Sequence, residues 1–455
     1  MTRSRRDFMR LLGAGAMIAP LSAMAGRAAQ GLPRFGPGFG TLAPALPLNS
    51  SELFVEGVFD LRGVPLIELP RGFRYSVVSC TGATMSDGTL VPGDHDGMAA
   101  FRGPRGTTVL VRNHELSNAE VKFGNPLGVD VPAALKYDTY ANGGTTTLVM
   151  DARGQLLRDF ASLGGTNNNC AGGLTPWGSW LTCEENVSTP ASSPQYQQRH
   201  GYVFEVPAFA ASAVAARPIV GMGRFNHEAT CVDPATGIVY QSEDRGDSAL
   251  YRYIPDRPGQ LAAGGTLQAL KFAGVDGPVN TATGFLGMLN LPQPVEWVTI
   301  DDVDPDEDTV RFEAQSKGAA LFSRGEGIWY GNGLVYLVCS NGGDLGAGQV
   351  FAYDPVAETV TLVVESTDRA LLDAPDNITV GPDGRLYLCE DGSGGDNIVG
   401  VDKSGEMFIA VRNIFNTGEF AGACFSPNGL FMFVNIQSPG LTLVIDGPWR
   451  RGGRG

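Results

Sequence analysis

The chain has 455 residues, and its 62 glycines and 29 prolines together lie far above the roughly 12% share of an average soluble protein. Only 18% of residues are charged, against about 25% on average, while 43% are hydrophobic and 9% aromatic. A chain that turns so often yet can bury a large core is not a helical bundle, a coiled coil or a disordered segment; it calls for many short strands joined by tight turns.

The first residues contain Ser4-Arg5-Arg6-Asp7-Phe8-Met9, a mild apolar run from Leu11 to Ala23 broken by Gly13, Gly15 and Pro20, and a small-residue cleavage pattern ending at Ala25. This is the layout of a twin-arginine export signal rather than of a membrane anchor. Residues 1–25 are therefore expected to engage the twin-arginine translocase and be removed, giving a periplasmic or secreted mature protein. Their loss takes away four Arg and one Asp and leaves a formal charge of −18. A surplus that acidic disfavours nucleic acid and anionic lipid as partners and fits a soluble exported protein or one that gathers cations; a monomer is expected. No later run of 18 apolar residues occurs, so no membrane span is expected in the mature form. Residues 26–49, including Pro33 to Pro47, read as an exposed linker, and 50–450 as a single all-β domain.

Six segments of that domain share a Gly turn, a strand rich in Leu, Val and Tyr, an acidic or amide residue, and usually a second strand. They are GTTVLVRNHE (106–115), GSWLTCEEN (178–186), GIVYQSEDRGDSALYRY (237–253), GLVYLVCSNGGDLGAGQVFAYD (333–354), GRLYLCEDGSGGDNIVGVD (384–402) and GLFMFVNIQSPGLTLVID (429–446). Alternating apolar residues between Gly turns predict a hairpin in each unit, and six such units predict a six-bladed β-propeller. Counting back seven to nine residues from Gly103, Gly178, Gly237, Gly333, Gly384 and Gly429 reaches Asp96, Cys170, Glu228, Glu326, Asp376 and, in the last unit, Ala421 or Gly422. If the intervening strand is the innermost of each blade, five of six blades deliver an ionisable side chain to one axis. Neighbouring strands end in Glu115, Glu184 and Glu185, Glu243 and Asp244, and Glu390 and Asp391.

Carboxylates gathered that closely raise one another's pKa unless positive charge compensates them, and metal ions supply that charge. Carboxylates without imidazole suit Ca²⁺, whereas the thiolate of Cys170 among them calls for a softer or more highly charged ion such as iron. The seven mature cysteines include no CxxC pair and are odd in number, which leaves at least one thiol free to be a ligand. His114 and His227 each precede a Glu and read as supports for it, because the carboxylate is the better ligand for a hard ion. Residues 254–322, rich in Gly, Ala and Pro at the start, read as an insertion lying over the channel mouth. Within it the acidic run Asp301 to Asp308 lacks EF-hand spacing and reads as a solvated lead into a helix over Thr309 to Phe322.

The motifs NNNCAGGLTPWGSWLTCEEN, GRFNHEAT, SRGEGIWYGNGLVYL, DAPDNITVGPDGRLYLCEDG and VRNHE, spread from about residue 50 to 447, closely resemble the PhoX-type alkaline phosphatases. The resemblance implies a six-bladed propeller whose axial site holds a dinuclear ferric centre, bridged by an oxo group and a cysteine, together with Ca²⁺. It places the bridging cysteine on Cys170, further ligands on Glu184 or Glu185, Glu228 and Glu326, and later acidic ligands on Asp376 and Glu390. It also implies hydrolysis of small-molecule phosphoesters without a Ser or Thr nucleophile, the oxo bridge attacking directly. Arg324, two residues before Glu326, has the planar fork that grips phosphate oxygens or a nearby carboxylate. Asn169, beside Cys170, is placed to hydrogen-bond substrate or to form a turn. The chain is shorter than the best-known members and has Gly325 where they carry Pro. Two alternatives account for part of the pattern: a calcium-dependent lactonase resembling the gluconolactonases, and a non-enzymatic exported propeller that uses metal only for stability. The lactonase gives Cys170 no role.

Overall fold

The computed structural model describes residues 38–117 and 128–450; the expected export signal lies outside them. Strands dominate, and among the described residues the one α-helix is the short Val310–Ser316. The strands form antiparallel sheets set around a common axis in a propeller-like arrangement. Six of them, His95–Arg102, Asn169–Leu174, His227–Val232, Gly325–Gly331, Pro375–Val380 and Phe420–Phe425, each pack against the next in chain order, and the last packs against the first. Each pairs outward with the strand that follows it in sequence. The ring is fastened by strand Arg74–Cys80, which pairs with Leu441–Asp446 and so ties the N-terminal part of the domain to its C-terminal sheet.

The alternation expected from sequence is what buries these sheets. In Leu334–Cys339 and Phe431–Ile436 nearly every side chain is covered, because neighbouring sheets pack on both faces and each fully buried Val, Leu or Phe contributes about 1.5–3 kcal/mol. Trp329 closes the axis below the ring. It packs against apolar clusters that include Val109 and Trp180, Ile378 and Leu388, and Met98 and Phe433, and lines the space between the inner strands.

Three expectations are corrected by the strand pairing. Leu42–Ala45, expected in the linker, is an edge strand paired with Ile67–Pro70. The segment after Ile254 does not interrupt the sheets: Gly265–Phe272 and Gln293–Thr299 extend one of them, and Gln293–Pro294 pair with Thr359–Val360, joining two neighbouring sheets into a nine-stranded one. The helix expected over Thr309 to Phe322 stops at Ser316, where Gly318 at φ +90° turns the chain, and Ala319 and Ala320 are buried against the sheet.

The acidic run is also only partly solvated. Asp304 pairs with Arg199 at 3.3 Å and accepts the Tyr202 hydroxyl at 2.8 Å; Asp308 accepts Arg245 Nε at 2.9 Å and pairs with Arg311, also at 2.9 Å. Asp304 and Asp308 thus fasten the segment to Arg199 and Arg245 in loops between strands, and Asp308 also to Arg311 of the short helix, whereas the Asp301 side chain pairs with Lys317.

Candidate functional site

All six inner strands carry the same irregularity. Their register slips by one residue at Asp96-Gly97, Cys170-Ala171, Glu228-Ala229, Glu326-Gly327, Asp376-Asn377 and Gly422-Ala423, where two residues oppose one on the partner strand. A β-bulge bends its strand and re-aims the side chains at the slip. The second bulge residue is small in five of six cases because it lies against the next inner strand: a Cβ on Gly97 would come 2.5 Å from Ala171 Cα, and one on Gly327 2.7 Å from the Asp376 carbonyl oxygen. The first bulge residue is the one the sequence pattern located, and five of these six positions are ionisable.

The result is a dense acidic centre. Ligand atoms of Cys170, Glu185 and Glu228 lie within 4.8 Å of one another, and those of Glu228, Glu326 and Asp376 form a second such group, with Glu228 common to both. Burial pushes the carboxyls of Glu228, Glu326 and Glu185 well above their usual range, and neighbouring acids push them further: Asp376 acts on Glu228 and Glu326, Glu115 and Asp244 on Glu185. Asp376 is pushed up to about 7 by burial and by Asp391 and Glu115. Asp96 is raised by burial and by Glu115, and Gln437 Nε2 donates to both acids, at 3.3 and 2.7 Å. The Cys170 thiol is buried and donates towards the carbonyls of Glu228 and His227; burial and the surrounding acids hold its pKa far above the ordinary thiol range.

Other expected residues lie elsewhere. Glu184, paired with Asn169 at the strand end, is fully buried: its Oε1 accepts His200 Nδ1 at 2.7 Å and the Asn167 amide at 2.9 Å, and its Oε2 accepts the Gly201 and Tyr202 amides. Glu390 is held by the amide of Asp373 and by the backbone and side chain of Asn397. In the acid pairs 184–185 and 390–391 the first residue faces the interior of its sheet and the second interacts with the axial acids, as the alternation of a strand requires. Asn169 is not at the mouth. Its Oδ1 accepts the Thr166 hydroxyl at 2.6 Å, its Nδ2 donates to the Thr182 hydroxyl at 2.8 Å, and no part of it is exposed. Its neighbour Asn168, left-handed at φ +53°, instead donates to Glu115 Oε1 at 3.0 Å and to Glu185 Oε2 at 3.3 Å. Arg324, also left-handed at φ +48°, forks onto both oxygens of Asp244 at 2.9 and 3.0 Å and lies 3.1 Å from Glu326, with almost half of its side chain exposed. Its hydrogen bonds to Asp244 raise its pKa. His227 bonds the Gly223 carbonyl and stacks on Phe225, and His114 bonds the Gly93 carbonyl.

Glu419 was not anticipated. It stands just before the last inner strand, whose bulge residue Gly422 has no side chain, and its carboxyl is raised by burial and by Asp376, Asp391, Asp96 and Glu115. An acid immediately preceding FAGACF was the available signal.

The family model of Alkaline phosphatase PhoX matches residues 58–160 and 151–440. The chain belongs to the PhoX alkaline phosphatase family. It is accordingly a phosphoric ester hydrolase. Among solved structures it is similar to Pseudomonas fluorescens PhoX in complex with vanadate, a transition state analogue, with a TM-score of 0.66 at 17% identity over 91% of this chain and 98% of that one. A gluconolactonase of Xanthomonas campestris is more distant, with a TM-score of 0.42 at 12% identity over 91% of this chain and 99% of that one. No curated protein matches the chain.

Proposed function

We propose that this PhoX-family protein is a six-bladed propeller that hydrolyses small-molecule phosphoesters at an iron and calcium centre on its axis, and that it is exported by the twin-arginine route and works as a monomer in the periplasm or outside the cell. The observation that carries the reading is the convergence of Cys170, Glu185, Glu228, Glu326 and Asp376, each raised in pKa, at one end of the axis.

The donor set fits the metals. Buried acids that oppose one another are unfavourable as carboxylates without cations among them, and a thiol whose pKa is raised by acids becomes a thiolate only beside a strong positive charge. Cys170, Glu185 and Glu228 would hold iron, and Glu228, Glu326 and Asp376 would hold calcium. Bound cations would neutralise and align the phosphate and stabilise the charge of an in-line displacement.

The chain's own residues supply the rest. Arg324 presents a planar guanidinium at the mouth, and the fork now matched to the two oxygens of Asp244 has the geometry that binds two phosphate oxygens. Asn168 Nδ2 donates to both Glu115 and Glu185 and fixes the orientation of their carboxyls. Trp329, closing the axis below, leaves the acidic end as the side from which substrate approaches.

The test is Cys170→Ala. Loss of bound iron together with loss of p-nitrophenyl phosphate hydrolysis supports the reading, and hydrolysis unchanged from wild type refutes it.

A further inference from the structure

Glu185 is oriented by a chain of contacts that begins in the acidic segment. Asp308 Oδ2 accepts from Arg245 Nε at 2.9 Å; Arg245 Nη2 donates to Asn226 Oδ1 at 3.1 Å; Asn226 Nδ2 donates to Glu185 Oε1 at 3.1 Å. Each link fixes the next. A guanidinium only donates, so the Asn226 amide must turn its oxygen to Arg245 and its NH₂ to Glu185. Arg245 is fixed in turn by Asp308 and by a contact to the Asp244 carbonyl oxygen at 3.4 Å, and Asp308 is shared with Arg311 at 2.9 Å.

We propose that Asn226 and Arg245 are positioning residues for the axial centre, through which Asp308 of the 301–308 segment sets the orientation of Glu185 beside Cys170 and Glu228. The chemistry explains why an amide stands between the arginine and the acid. A guanidinium placed directly on Glu185 would neutralise the carboxylate and compete with a cation. The neutral amide orients Oε1 through one hydrogen bond, leaves the charge of Glu185 in place, and confines the charge of Arg245 to Asp308, a residue away. Asn168 does the same for Oε2 from the other side, at 3.3 Å. The arrangement also gives a role to the acidic run, whose composition alone marks it as solvated surface.

The proposal rests on the metal-centre reading, and the experiment separates the two. Wild type, Asn226→Ala, Asp308→Asn and the double variant are purified without chelator, and the affinity of each for iron is measured by competition with citrate, together with the thiolate-to-iron absorption band. Outer partners of metal ligands are worth about 10- to 100-fold in affinity. The expected result is a loss of that size in Asn226→Ala, a smaller loss in the same direction in Asp308→Asn, a displaced absorption band in both, and a double variant no weaker than Asn226→Ala. Asp308→Asn is nearly isosteric and keeps an oxygen to accept from Arg245, so it serves if Asn226→Ala does not fold, and circular dichroism checks the fold of each variant. Variants that bind iron as wild type does, or losses that multiply in the double variant, overturn the relay. A wild type that binds no iron overturns the metal-centre reading, and the relay with it.

Discussion

Stripping cations from the protein is expected to destabilise it more at higher pH. A carboxyl whose folded pKa is raised contributes stability below its unfolded pKa near 4, and that contribution is lost as pH climbs through the folded value. For Asp376, raised from 3.8 to about 7, the ionised group costs the stripped fold about 4 kcal/mol at pH 8, because each tenfold change in proton affinity is worth about 1.4 kcal/mol. Glu185, Glu228, Glu326 and Asp96 act in the same direction. Three buried imidazoles act oppositely. His95 and His114 are held well below the usual range by burial and by Arg112, and His227 is lowered to about 3 by burial, so all three favour the folded state above their unfolded pKa near 6.5. Comparing stripped and loaded protein at one pH cancels these histidine contributions. In a chain of this size 4 kcal/mol corresponds to about 5 °C in melting temperature. Calorimetric melts at pH 5, 6.5 and 8, with chelator and with added Ca²⁺, should therefore show a gap that is small at pH 5 and at least about 5 °C at pH 8. Melting temperatures that coincide at all three pH values would refute the electrostatic account of the axis.

Three further outcomes follow from particular contacts. Arg324→Lys keeps the charge but loses the fork, and kcat/KM for p-nitrophenyl phosphate should fall about 10- to 100-fold, the equivalent of one charged bidentate contact; steady-state kinetics equal to wild type would remove Arg324 from the site. Gly97→Ala sets a Cβ against the backbone of Ala171 and Cys170, so the inner strands must part: stability should drop by about 1–3 kcal/mol and bound iron with it, read by denaturant titration and metal analysis. His200 is buried between Glu184 and Asp138, and although burial lowers its pKa, the two acids raise it overall. Its contribution is full below pH 6.5 and lost as pH rises through the folded value, so His200→Gln, costing about 3–5 kcal/mol, should differ from wild type more at pH 6 than at pH 9 in urea unfolding.

The repeat was legible because the bulge sits at a nearly constant distance before each Gly turn, so counting back from Gly178, Gly237, Gly333 and Gly384 reached Cys170, Glu228, Glu326 and Asp376 without any alignment. Which member of an acid pair faces the axis was not legible. It depends on the parity of the outer strand relative to the bulge, and a slip of one residue exchanges Glu184 with Glu185. The same parity put Asn169 inside the sheet and left Asn168 at the mouth, since a run of three asparagines has no internal mark of register. Glu419 escaped because it precedes its strand rather than opening it. The 254–322 segment misled by composition: Gly and Pro at its start indicate turns, and only long-range pairing of Gln293–Pro294 with Thr359–Val360 shows that its strands complete the sheets.

The axial carboxylates and Cys170 are held to exist for binding the cations of phosphoester hydrolysis. Elemental analysis of active protein purified without chelator tests that claim most directly. Iron and calcium should be bound together, with iron absent from Cys170→Ala. Active enzyme that contains calcium alone, or no metal, would contradict it.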